Sequence, residues 1–103
     1  MTTVVATYRV RKDQLEQFDD ALRGHWRLLH DSGLVTDEPA IVLARDADDG
    51  PIRMEIFTWR DEAAVDAAHE HEAVMALWGK LESWCEERES GPSVEFPHVT
   101  RLA

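Results

Sequence analysis

The sequence predicts an α+β domain of ferredoxin-like type: a βαββαβ chain whose four strands form one antiparallel sheet with its helices on one face. Three observations carry that expectation. The spacing of apolar residues changes from alternation to a helical period and back along each half of the chain. A cluster of turn residues separates two apolar runs in the middle, as a hairpin requires. The length is 103 residues, with 44% hydrophobic and 31% charged, which supplies the core of one ordinary globular domain spanning the chain.

The elements follow in order. In "TVVATYRV", residues 3–10, Val4, Ala6, Tyr8 and Val10 alternate against Val5, Thr7 and Arg9, which is a strand. From Asp13 to about Ser32, Leu15, Phe18, Leu22, Trp26 and Leu29 recur every three or four residues as one helical stripe. Asp13 suits its N-cap and Gly33 its C-terminal stop. Pro39 introduces a second strand, "AIVLA" (40–44). "RDADDGP" (45–51), with its Asp49-Gly50 pair, reads as the turn into "IRMEIFTW" (52–59). This acidic loop does not match a calcium loop: its glycine falls one position early and Phe57 stands where a bidentate Glu is needed.

Asp61 then caps a short helix over 62–69, and a longer one runs from about 72 to 88 with Val74, Leu77, Trp78, Leu81 and Cys85 on its apolar face. "SGP" (90–92) ends it, and "SVEFPHVTRL" (93–102) is the last strand. Pro97 has no N–H to donate, so it marks an edge or an interruption there.

Charge excludes some partners. Asp and Glu number 21 against 11 Lys and Arg, a net −10, which repels phosphate backbones and removes nucleic acid from consideration. The densest basic cluster, Arg9, Arg11 and Lys12, reads as a solvated turn. No apolar run approaches the roughly 20 residues of a membrane helix, and "MTTVVATYRVRK" lacks a secretory pattern. With Cys85 the lone cysteine, the expectation is a cytoplasmic protein without membrane partners.

The sheet itself raises a packing problem. "AIVLA" is apolar throughout, while Met54 and Ile56 point opposite to Phe57 and Trp59. A sheet apolar on both faces wants both covered, and the helices cover one. A second copy of the chain is the simplest cover, so a homodimer is expected.

Chemistry must come from a pocket, because no nucleophile elbow, phosphate loop, CxxC or nucleotide fingerprint is present and no cofactor is implied. On a helix His69 and His71 point about 200° apart and cannot chelate one ion, and no metal is expected. They mark a joint between two helices, with one imidazole available to a pocket. His25 beside Trp26 is either a satisfied core residue or a base near neutral pKa. Tyr8 on the first strand and His98 on the last share a cavity if their faces match. Trp26, Trp59, Trp78 and Trp84 supply flat apolar walls, as core or as ligand contacts.

"MEIFTWRDEAAVDAAHEHEAV" (54–74) and "VVATYRVRKDQLEQFDDAL" (4–22) together resemble the antibiotic biosynthesis monooxygenase group of the dimeric α+β barrel superfamily. The resemblance spans nearly the whole chain, and its motifs are mostly structural. It implies a homodimer with facing sheets and a cavity between each sheet and its own helices. Some members of the group oxidise hydroxylated aromatics or quinols with O₂ and no cofactor, whereas others cleave haem. The haem branch carries an Asn, a Trp and a His where this chain has Tyr8, about Ala68, and Trp78, so haem cleavage is disfavoured.

The expectation is therefore a cofactor-independent monooxygenase acting on a small aromatic, quinol-like or anthrone-like substrate. His69 or His25 would serve as base, and Tyr8, Trp26, Trp59, Trp78 and His98 would contact the substrate. The alternative is a non-enzymatic, small-ligand-binding or stress-associated homodimer of the same fold. An isomerase or decarboxylating role comes third.

Overall fold

The computed structural model describes residues 2–103. Strand β1 is Thr3–Arg9, α1 Leu15–Asp31, β2 Ile41–Ala47, β3 Gly50–Thr58, α2 Glu62–Glu70, α3 Glu72–Ser83, β4 Val94–Glu95 and β5 His98–Val99. The sheet is antiparallel in the order β2-β3-β1-β4, with β5 also paired to β1. This is the expected ferredoxin-like arrangement. The last strand is split at Phe96 and Pro97, and Val5 still donates to the Pro97 carbonyl across the break.

Register decides which side chains meet. Val4, Ala6 and Tyr8 stand opposite Phe57, Glu55 and Arg53, and directly opposed residues share a face. That face carries the core: Val4, Ala6, Tyr8 and Phe57 are buried against Phe18, Leu22, Leu29, Ala64, Ala68, Val74 and Leu81 of the helices. Tyr8 meets Phe18 edge-on at 5.1 Å. Phe18 has no exposed surface, and burying a side chain of that size stabilises the fold by about 1.5–3 kcal/mol.

The opposite face is open at the β2 edge. Six of the seven β2 residues are exposed; Ile41 and Leu43 are 51% and 47% accessible. They are paired with Ile56 and Met54, whose side chains lie on the same face.

Several boundaries differ from expectation, each for a local reason. Asp13 lies inside a short 3₁₀ turn, Lys12–Gln14, and Gln14 precedes α1 without a side-chain cap. The C-terminal stop is as expected: Gly33 has φ 72°, Leu34 N–H reaches the Leu29 carbonyl, and Gly33 N–H reaches that of His30. The hairpin is tighter than expected, because strand pairing continues to Ala47 opposite Gly50 and leaves only Asp48 and Asp49 as the turn.

Helix α3 stops at Ser83 rather than near residue 88. Cys85 bridges to Val10, Arg11 N–H donates to the Trp84 carbonyl, and Glu86 N–H donates to Arg9. Extending β1 thus outcompetes another turn of helix, and Cys85 lies outside the helix. Arg9 is also not in a solvated turn. It is 7% exposed and binds Ser90, the Pro92 carbonyl and Glu95. A Cβ on Gly91 would sit 2.6 Å from its guanidinium carbon.

Candidate active site

A cavity of about 360 Å³ opens between the core face of the sheet and helices α2 and α3, at the small end of ligand-sized pockets. Tyr8, His25, Trp59, His69, Trp78 and His98 all line it. Trp26 is not among the lining residues; it stacks on His30 at 4.7 Å. Phe96 and Met75, 61% and 43% exposed, stand at the opening. Aromatic rings form one part of the wall: Phe57 meets Trp59 at 5.3 Å, and Trp59 meets Trp78 at 6.3 Å.

Strand alternation places the deepest polar group. Glu55 falls two residues before Phe57 and four before Trp59, so it shares their face and is fully buried. The Tyr8 hydroxyl donates to its Oε1 over 3.0 Å, and His25 Nδ1 lies 2.8 and 2.9 Å from its two oxygens. The Trp78 indole N–H reaches Nε2 of the same imidazole at 2.8 Å. An indole nitrogen only donates, so Nε2 accepts and the His25 proton resides on Nδ1, directed at Glu55. The one basic lone pair of His25, on Nε2, is therefore engaged. Burial, and after it the charge of Glu55, push the Tyr8 phenol well above its ordinary value. Tyr8 therefore remains a neutral donor.

The two histidines of the helix joint divide their duties. His71 is the joint: its backbone is extended at φ −88° and ψ 113°, and it caps α3. Its Nδ1 accepts from Val74 N–H at 3.3 Å, which leaves Nε2 to donate to Ser32 Oγ at 3.1 Å. His69, on the last turn of α2, places Nδ1 2.8 Å from the Val65 carbonyl. A carbonyl only accepts, so the proton is on Nδ1 and Nε2 carries the lone pair. Among the described residues nothing hydrogen-bonds to that nitrogen. The imidazole meets Trp78 edge-on at 5.3 Å. The cavity thus offers an unengaged nitrogen on His69 beside an engaged one on His25, and His98, the third imidazole of its wall, hydrogen-bonds to none of the described residues.

His98 stands opposite Val4 across β1 and β5, which aims it at the same face as Tyr8. Glu55 escaped the sequence reading, although its place on the Phe57–Trp59 side of β3 was a usable signal. Among the described residues no three His, Cys, Asp or Glu side chains form a metal-binding group. Among the described residues no helix is long and apolar enough to cross a membrane. Burial pushes the Cys85 thiol up to about 12, which makes it a poor nucleophile.

No family model matches the sequence, and no curated protein matches it significantly. Solved structures do. A crystal structure of an antibiotic biosynthesis monooxygenase superposes with a TM-score of 0.76 at 14% identity, covering 100% of both chains. A variant of SnoaB, a cofactor-independent oxygenase from Streptomyces nogalater, gives 0.71 at 15% identity over 99% of this chain and 93% of that one. A dimeric ferredoxin-like protein of unknown function from Jannaschia sp. gives 0.69 at 15% identity over 97% and 98%. The chain has the ferredoxin-like α+β fold of the antibiotic biosynthesis monooxygenase structures.

Proposed function

We propose that this protein is a homodimeric, cofactor-independent monooxygenase acting on a small hydroxylated aromatic, of quinol or anthrone type, with His69 as its base. The observation that carries this reading is the free Nε2 of His69 on the wall of an aromatic cavity. The structural likeness to SnoaB, a cofactor-independent oxygenase, supports it.

For an anthrone-type substrate the chemistry balances as follows. Nε2 of His69 takes one proton from the acidic ring methylene. The resulting carbanion gives one electron to O₂, and the radical pair combines to form a carbon–oxygen bond. The peroxide regains the proton from His69. Its O–O bond then breaks as the remaining carbon-bound hydrogen leaves with the distal oxygen as water, and a carbonyl is left on the ring. The protein's contribution is a positioned base and an apolar enclosure that keeps the carbanion from water. Phe57, Trp59 and Trp78 supply flat walls for the rings.

The homodimer rests on the open sheet face. Ile41, Leu43 and Val99 are each more than two-fifths exposed, an apolar surface at a strand edge that a second copy would cover. The ferredoxin-like protein described as dimeric supports this assembly. A cytoplasmic setting, with no nucleic-acid or membrane partner, belongs to the same proposal and rests on the acidic charge and the lone cysteine.

A ligand-binding dimer without turnover is the second reading. It is favoured by His25, the deeper imidazole, whose lone pair is already taken by Trp78. An oxygen electrode separates the two. Uptake of O₂ with a panel of quinols and anthrones, without added cofactor, supports the enzyme. Binding without uptake across the panel supports the second reading.

A further inference from the structure

Tyr8, Glu55, His25 and Trp78 form one continuous hydrogen-bonded chain from the core to the cavity. The reaction above uses none of them as an acid or base. Burying a carboxylate with no cation against it is costly, and here that cost is offset only by the hydrogen bonds it accepts from Tyr8 and His25. What Glu55 does to its neighbour is defined by geometry. It fixes the His25 proton on Nδ1 and leaves Nε2 as an acceptor at the cavity, where the Trp78 N–H occupies it.

We infer that this N–H···N bridge between Trp78 and His25 is a subsite for the hydroxyl group of an aromatic ligand, closed by Trp78 when the cavity is empty. The bridge has one donor end and one acceptor end. A group that inserts into it must accept from Trp78 and donate to His25 at the same time, and a hydroxyl does both through one oxygen. A methyl ether or a quinone carbonyl accepts from Trp78 but leaves Nε2 unsatisfied at a desolvated site.

Insertion requires the two nitrogens to part from 2.8 Å to about 5 Å, the span of two ordinary hydrogen bonds bent at oxygen. His25 is 1% exposed and pinned by Glu55, so it stays. Trp78 is half-buried on α3 and borders the cavity, so it moves. Glu55 acts here as a positioning residue through the tautomer it imposes. The subsite rests on reading the cavity as an aromatic site and adds a direction to it: a hydroxylated, reduced ligand is held, and its oxidised carbonyl form is released.

The test is calorimetric titration of the intact protein with 1-naphthol and with 1-methoxynaphthalene under anaerobic conditions, where no turnover confuses binding. Naphthol is expected to bind about tenfold more tightly or better, the cost of one unsatisfied buried acceptor. In His25→Phe the preference should collapse toward one. Should that variant fail to fold, NMR of heavy-nitrogen-labelled wild type replaces it. The His25 proton should be found on Nδ1, and the Nε2 resonance should move on adding naphthol but not the ether. Equal affinities, a preference that survives in folded His25→Phe, or an Nε2 signal unmoved by saturating naphthol would overturn the subsite alone. If neither compound binds, the aromatic-cavity reading falls with it. Oxygen uptake by a protein that binds both compounds alike would leave the oxygenase standing without this subsite.

Discussion

Trp78 stands between two of the three cavity imidazoles, donating its indole N–H to Nε2 of His25 over 2.8 Å while its ring meets that of His69 at 5.3 Å. That placement gives the two histidines different chemistry. The lone pair of His25 is engaged inside the core, whereas that of His69 is free where the cavity meets solvent.

His69→Gln removes the proposed base and touches little else, because His69 is exposed and its one hydrogen bond is to its own helix. Turnover should fall about 10²–10⁴-fold, the usual contribution of a positioned general base. Stability should change by no more than about 0.5 kcal/mol. Steady-state oxygen uptake and urea unfolding measure the two separately.

His71→Ala should show the reverse. It deletes the cap of α3 and the link to Ser32, so stability should fall by about 1 kcal/mol. Turnover per folded molecule should stay within twofold of wild type, roughly the scatter expected of a residue outside the reaction.

Glu55→Ala should be severe. It strands the His25 Nδ1–H and the Tyr8 O–H in the core without an acceptor and opens a void beside Ala6. A loss of about 3–5 kcal/mol is expected. Glu55→Gln keeps an acceptor oxygen and should cost less than half of that. Chemical denaturation of both variants at neutral pH decides.

Alkaline pH should destabilise the fold in two overlapping stages. The Cys85 thiol is raised from 9.0 to about 12, and the Tyr8 phenol is raised well above 10.0. In each case the folded state keeps a proton that the unfolded chain releases, so stability falls as pH rises. On the alkaline side it should decline first through the thiol between about 9 and 12, and further above 10 through the phenol. Cys85→Ala should remove the earlier part of that decline, as urea midpoints measured against pH would show.

The order and type of the elements were legible because apolar spacing reports burial, and burial here follows the sheet and helix periods closely. Pro97 announced the break in the last strand through its missing N–H. Boundaries were less legible where long-range pairing overrode local preference. The end of α3 is the clearest case, since the residues after Ser83 leave the helix to extend β1. Arg9 looked like part of a basic turn because its partners, Ser90, Pro92 and Glu95, lie more than eighty residues away.

The cavity was legible by face: Tyr8, Trp59 and His98 fall on it because strands alternate. Trp26 belonged to the right helical stripe but turned to His30, a choice made by tertiary packing. Glu55 sits among apolar residues on β3, where an acidic residue reads as solvent-facing until the partners on α1 and β1 are in place. Which histidine carries a free lone pair depends on hydrogen-bond partners, and spacing does not report them.

The most direct test uses dioxygen labelled with heavy oxygen, a purified anthrone and no added metal or cofactor, followed by mass spectrometry of the quinone after a short reaction. The wild-type protein should yield product carrying one labelled oxygen atom, at a rate that His69→Gln cuts by about two orders of magnitude or more. Product formed no faster than without protein, or formed at the same rate by His69→Gln, would contradict a His69-driven oxygenase.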